Sequence, residues 1–231
     1  MIKTIRTIVL LVMIFGLFGT GCLDAQDDSF RSDFNLSERT LVSTGRNEYF
    51  ILEPGYQLIL EDRFTKLTIT VLDETKKVNG IITRVVEEKE WIRGNIYEVS
   101  RNFFAIDKET NDVFYFGEEV DFYRDGKVTD HYGAWLAGED GAMAGLIMPG
   151  EISLGMKYYQ ELAPNVAMDR AEIISINDNL DTPAGTFSKC LTTKEGTALN
   201  FREVEFKTYA PVIGLIQDQS LLLTKHGFLD K

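Results

Sequence analysis

The sequence predicts an all-β domain, a single antiparallel curled sheet (half-barrel, barrel or sandwich) of about 10–11 strands behind a cleaved N-terminal export signal. Three observations carry this expectation. From Tyr49 onward, apolar and polar residues alternate with period two, as half-buried strands require. Gly, Pro, Asn and Asp interrupt that alternation every eight to twelve residues or so. Beyond the N-terminal apolar run, no stretch keeps a helical period over three turns. With 231 residues, 44% of them hydrophobic, the chain can bury one substantial core. No Pro- or Ser-rich linker divides it, so residues 45–231 are read as one domain.

The first element is the address. Lys3 and Arg6 form a short positive region, and Ile8 to Phe18 form an apolar run of 11 residues. Crossing a bilayer takes about 20 apolar residues, so residues 1–21 read as a cleaved signal peptide. The run ends in Gly19-Thr20-Gly21-Cys22, which resembles the lipobox of bacterial lipoproteins, with Gly19 where Leu is usual. That resemblance implies cleavage between Gly21 and Cys22, and lipidation of Cys22 with diacylglyceryl and palmitoyl-type chains. Two or three acyl chains make a stable anchor at about 0.8 kcal/mol per buried methylene. Leu23, rather than Asp, follows the cysteine. By analogy with enterobacterial sorting, this gives no inner-membrane retention signal. The expected location is therefore the cell envelope, lipid-anchored on the extracytoplasmic side. In an organism with an outer membrane, that means the outer membrane or cell surface.

Residues 22–44 are the lipidated cysteine and a polar, acidic stretch read as a tether, with a short helical turn around Ser37 to Leu41. The strands follow. Leu67, Ile69 and Val71 share one face and Thr68 and Thr70 the other. Gly80 to Ile92 is a second run, turned by Arg93-Gly94-Asn95 into Ile96 to Ile106. Asp107 to Asp112 is a further turn, and Asp125-Gly126 is a two-residue hairpin signal. Beyond residue 150, strands are expected at Lys157 to Leu162, Ala171 to Ile176, Thr186 to Thr193, Phe201 to Tyr209 and Ile213 to Leu223.

Charge excludes some functions. The chain has 36 acidic and 24 basic side chains, a net −12, and loss of Lys3 and Arg6 with the signal leaves −14. Nucleic acid is not an expected partner, because phosphate neutralisation needs clustered Lys and Arg. Two cysteines and two histidines exclude a disulfide scaffold and a His- or Cys-rich metal centre. Glu118, Glu119, Asp121, Asp125, Asp130, Glu139 and Asp140 lack a calcium-loop spacing and read as solvated strand faces. No Gly-x-Ser-x-Gly elbow is present. Cys190 sits in an alternating strand, as a small buried hydrophobe does, and a dyad with His131 has no local support. Among 36 carboxylates, no catalytic pair stands out. No catalytic residue, metal or cofactor is expected.

The stretch from Gly133 to Gly150 holds five glycines among large apolar residues. Glycine at this density costs backbone entropy unless a conformation requires it. Trp135, Met143, Leu146 and Met148 are therefore candidate ligand-contacting residues of a loop over an apolar cavity. The bland alternative is a loop whose side chains plug one end of a barrel.

Several segments carry a wider resemblance: Phe114-Tyr-Phe-Gly-Glu118, Trp135-Leu-Ala-Gly-Glu-Asp-Gly-Ala142, Ile147-Met-Pro149, Thr182-Pro-Ala-Gly-Thr-Phe187, Thr193-Lys-Glu195 and Tyr209-Ala-Pro211. From about Tyr49 to Leu223 the chain resembles a family of largely uncharacterised bacterial secreted proteins and lipoproteins, departing from it at Val212. The resemblance implies export and an all-β fold, and no catalytic residues. The expected function is a non-enzymatic, membrane-anchored binding module for a lipophilic small molecule. The alternative is a structural or protein-interaction envelope protein without a ligand cavity, and the third reading is a hydrolase.

Overall fold

Eighteen strands are formed in the computed structural model, which describes residues 30–229. They are β1 (Leu41–Val42), β2 (Gly45–Asn47), β3 (Phe50–Leu52), β4 (Tyr56–Glu61), β5 (Thr65–Val78), β6 (Ile81–Ile92), β7 (Asn95–Asp107), β8 (Val113–Arg124) and β9 (Lys127–Asp130). The second half adds β10 (Trp135–Leu136), β11 (Met143–Met148), β12 (Lys157–Tyr159), β13 (Glu161–Leu162), β14 (Asp169–Thr182), β15 (Gly185–Thr197), β16 (Asn200–Ala210), β17 (Gly214–Asp218) and β18 (Leu221–Phe228). Sixteen belong to one sheet, ordered β12-β14-β15-β16-β17-β18-β4-β5-β6-β7-β8-β11-β13, with β1 added to β7 and β9 and β10 to β8. Its neighbours pair antiparallel, as expected. The count exceeds 10–11 because short strands flank the long ones and because Gln219-Ser220 splits the run from Ile213 into β17 and β18.

The long meander is set by turn chemistry. Asn79-Gly80, Arg93-Gly94 and Asp125-Gly126 each hold both central residues at positive φ, between 44° and 85°. That is the two-residue hairpin turn whose twist matches the flanking strands. The flanking pairs Val78 with Ile81, Ile92 with Asn95 and Arg124 with Lys127 are in register.

The sheet curls until it is nearly a closed barrel, and one segment bridges the seam. Lys157 to Tyr159 pairs with β14, while Glu161 and Leu162 pair with β11 at the other end of the sheet. Between them, the Gln160 N–H donates to the Asp169 carbonyl at 2.7 Å. The approach needs a glycine. A Cβ on Gly145 would lie 2.2 Å from the Gln160 carbonyl oxygen. Gly145→Ala is therefore expected to cost about 1–3 kcal/mol by forcing the seam open, measured as a lower midpoint in urea.

Part of the segment read as a tether is docked. From Phe30 onward, the segment read as tether is built into the domain. Arg31 exchanges backbone hydrogen bonds with Lys157 and Tyr159 at 3.0 and 2.9 Å, covering the open edge of β12. Phe34 is buried against Phe114, and Leu41 and Val42 pair with Asp107 and Ile106. The expected helical turn is a single 3-10 turn, Leu36–Glu38. Arg39 then donates to Asp107 at 2.8 Å and Asp112 at 2.7 Å, with its guanidinium over the Phe114 ring. Alternation hides this docking, because Phe30, Phe34, Arg39 and Leu41 follow no regular period. The expected signal peptide, Gly21 and Cys22 lie outside the described residues.

Candidate functional site

The barrel lumen is built from three cross-strand rows. Registers place Leu67, Glu90, Glu98 and Phe122 in one row across β5 to β8. The next row is Ile69, Glu88, Ser100 and Val120, and the third is Val71, Val86, Asn102 and Glu118. Alternation sends Glu87, Lys89, Arg101 and Glu119 to the outer face, where Glu87 and Lys89 form an ion pair at 2.5 Å. The opposite wall brings in Thr193, Glu195, Glu205, Lys207, Tyr209 and Asp218, with Glu195 opposite Glu205 and Lys207 opposite both Thr193 and Asp218.

These walls enclose a cavity of about 140 Å³. Tyr56, Leu58, Leu67, Ile69, Phe104 and Leu215 line it together with Glu88, Glu98, Glu118, Glu161, Lys207 and Asp218, and Ile69 stands directly across the sheet from Glu88. The β2–β3 hairpin contributes Tyr49, Phe50 and Ile51, with Phe50 edge-on to Phe104. A second cavity of about 90 Å³ shares Ile147, Glu161 and Lys207 and adds Asp169, Glu195, Glu203 and Glu205. The lumen thus concentrates carboxylates around one lysine.

Burial dominates its electrostatics. It pushes the Glu98 carboxyl up to about 8, with the charges of Glu90 and Glu88 adding to the shift. Glu88 is pushed to about 7 by burial, against the opposing pull of Lys207. Asp169 rises to about 6, while Glu118 and Glu161 lie well above the ordinary carboxylate range for the same reason. Burial works against the Lys207 ammonium, but Glu195 and Asp218 outweigh it and hold its pKa well above the usual lysine value. The pair with Glu195 measures 2.9 Å. Glu195 also accepts from Thr193 Oγ1 at 2.8 Å. Tyr115 donates its hydroxyl to Asn102, which donates to Ser100 at 3.0 Å. Glu98 is different: it is 6% exposed and its Oε2 has no hydrogen-bond partner.

None of the four residues expected to contact a ligand lines the main cavity. Eight of the eighteen residues from Gly133 to Gly150 are strand, in β10 and β11, and the rest are turns and connections. Leu146 and Met148 are buried, and Leu146 pairs with Phe114 beneath the docked N-terminal segment. Ile147, between them, lines the cavity instead. Met143 is 57% exposed. Trp135 is buried, pairs with Glu118 and packs edge-on to Tyr115. The docked segment 30–44 gives β11 a buried outer face, which sequence pattern alone does not reveal, and Trp135 lines a separate cleft with Glu118, Ala142 and Pro164.

The other expectations also find their places. Cys190 is fully buried, and burial raises its thiol pKa, the reverse of what a nucleophile needs. The His131 ring faces the Val120 carbonyl and the Asp121 carboxylate, both at 2.9 Å, on the exposed β8–β9 hairpin. Among the described residues, no group of three or more His, Cys, Asp or Glu side chains has a metal-holding arrangement. Of the acidic residues weighed for calcium, Glu118 turns into the lumen. The lumen carboxylates themselves were missed. The signal that could have found them is the strand Glu203-Val-Glu-Phe-Lys207, whose two faces are unambiguous but whose inward face is the charged one. Comparison of the chain with protein-family models, curated proteins and solved structures gives no significant match.

Proposed function

We propose that this protein is a non-enzymatic binding module, lipid-anchored through Cys22 on the extracytoplasmic side of the envelope, whose barrel lumen takes one small ligand with an apolar body. The observation that carries the reading is the cavity of about 140 Å³ with Leu58, Leu67, Ile69 and Phe104 in its lining. A cavity of about 150 Å³ lined by Leu, Ile and Phe accepts benzene, whereas pockets for drug-sized ligands run from about 300 Å³ upward. The ligand is therefore of single-ring size, and an acyl chain is not the occupant. Charged side chains on the outer face, such as Lys89 and Arg101, support a barrel that stands in water and is held by its lipid rather than inserted as a transmembrane barrel. Neither a buried carboxylate–histidine pair nor an activated thiol supports the hydrolase reading.

The test is thermal unfolding of the full chain with phenethyl alcohol as a single-ring probe. At ten times its Kd, the probe is expected to raise Tm by roughly 3–6 °C. Ile69→Trp, which fills the cavity from its apolar lining, should abolish the shift while the far-UV spectrum stays that of the wild type. Stoichiometric uptake of a fluorescent fatty acid, or no response to any single-ring probe, would overturn the reading.

A further inference from the structure

From the mixed apolar and acidic lining of the lumen and the unpartnered Glu98 Oε2, we infer that the ligand is a small organic cation, an ammonium on a short arm from a single apolar ring or branched alkyl group. This rests on the reading of the lumen as a ligand site and adds the chemistry of the ligand's polar end.

Three observations converge on it. First, a buried carboxylate oxygen without a partner costs the full desolvation of that group, so native structures rarely leave one unmatched. Glu98 Oε2 is such an oxygen, on a side chain that lines the cavity. Second, its surroundings call for a donor. Glu98 lies in register with Glu90 on β6, and Glu88 and Glu118 line the same cavity. Like charges directly across a sheet destabilise it, and a cation between them reverses the sign of that interaction. Third, the chain's own cation is committed elsewhere. Lys207 lines the same cavity but is paired with Glu195 at 2.9 Å, so the lysine of the lumen is held by Glu195 rather than by Glu98. Leu58, Leu67, Ile69 and Phe104 line the same cavity, with Ile69 in register beside Glu88. An amphiphilic amine matches both kinds of side chain, with its ring among the aliphatic side chains and its ammonium toward Glu98. An anionic ligand meets four carboxylates there, and a neutral one leaves Glu98 Oε2 without a charged donor.

Three probes of one size and different charge decide the matter, measured by calorimetry on the full chain at pH 8.5: phenethylamine, phenethyl alcohol and 3-phenylpropionate. The amine is expected to bind ten- to hundredfold tighter than the alcohol, as a charge-assisted hydrogen bond provides, and the acid more weakly than the alcohol. Glu98→Gln keeps the size of the side chain and should bring amine and alcohol within about threefold of each other, with alcohol binding retained as proof of an intact lumen. Should the variant lose alcohol binding as well, the order of the three probes on the wild type decides alone. Amine and alcohol binding equally would overturn the cation assignment and leave the small-ligand reading standing. If none of the three binds, both fail.

Discussion

Lys207→Met is expected to lower Tm by roughly 6–20 °C at pH 8, the largest effect of any single substitution in the lumen. The reason lies in what the ammonium leaves behind. Lys207 sits 2.9 Å from Glu195, and the two side chains are 19% and 8% exposed. Glu205 stands in register opposite Glu195, and Asp218 opposite Lys207 itself. Removing one partner of a buried ion pair typically costs about 3–5 kcal/mol, because the remaining charge is desolvated and uncompensated. For a domain of this size, each kcal/mol moves Tm by about 2–4 °C. The sign with pH follows. The Lys207 pKa is held above its ordinary value, so its contribution is complete below the ordinary lysine range and is lost only as pH rises through the raised value. At pH 5 the deficit of Lys207→Met should shrink, because Asp169, raised to about 6, and Glu205, raised by burial, then hold more protons. Adding Glu195→Gln to Lys207→Met should recover most of the loss. An unchanged Tm in the single variant would mean that water already solvates Glu195 and that the lumen is not a low-dielectric site.

This prediction shows why the fold was legible while its chemistry was not. Turns are local. Asp125-Gly126 announces a two-residue hairpin because Asp and Gly are among the few residues that favour positive φ, while Arg93-Gly94-Asn95, read as a turn, closes with Arg93 and Gly94 at positive φ. Strand faces are also local, since alternation along Glu203-Val-Glu-Phe-Lys207 separates two sets of side chains without ambiguity. Which set points inward is not local. The usual rule sends Val204 and Phe206 to the core, yet they are 43% and 47% exposed while Glu205 and Lys207 line the lumen. A buried charge is tolerable only with partners, and those partners come from β14, β15 and β17, which no single strand's sequence contains. The same holds for β11. The glycines of this stretch were read as serving a loop over a cavity, whereas Gly145 lets the chain approach closely at the seam. Its apolar side chains face a segment more than a hundred residues away in the chain.

Stability is expected to peak near pH 5 and to fall toward pH 8, the reverse of the loss on acidification that salt-bridged carboxylates usually produce. A carboxyl whose folded pKa lies above its unfolded value binds more protons in the native state between the two. Native stability therefore declines as pH rises across that interval and levels off above the folded value. Glu98 spans from the ordinary 4.5 to about 8, and Glu88 to about 7, both pushed there first by burial. Each pKa unit corresponds to about 1.4 kcal/mol. Allowing for the mutual coupling of these groups, a combined loss on the order of 3 kcal/mol is expected between pH 5 and pH 8, or about 6–12 °C in Tm. The acid limb has a different origin. Arg39 and the backbone N–H groups of the turn overcome the burial of Asp107 and hold it below its ordinary range, so its contribution persists above that range and disappears as pH falls through the lowered value. Glu98→Gln separates the two limbs. It should raise Tm at pH 8, leave Tm at pH 5 within a degree or two, and keep the acid limb intact. A wild-type Tm that climbs from pH 5 to pH 8 would show that the lumen carboxylates ionise at ordinary values. The unpartnered Glu98 oxygen would then be satisfied by water, and the drive to recruit a cation there would disappear with it.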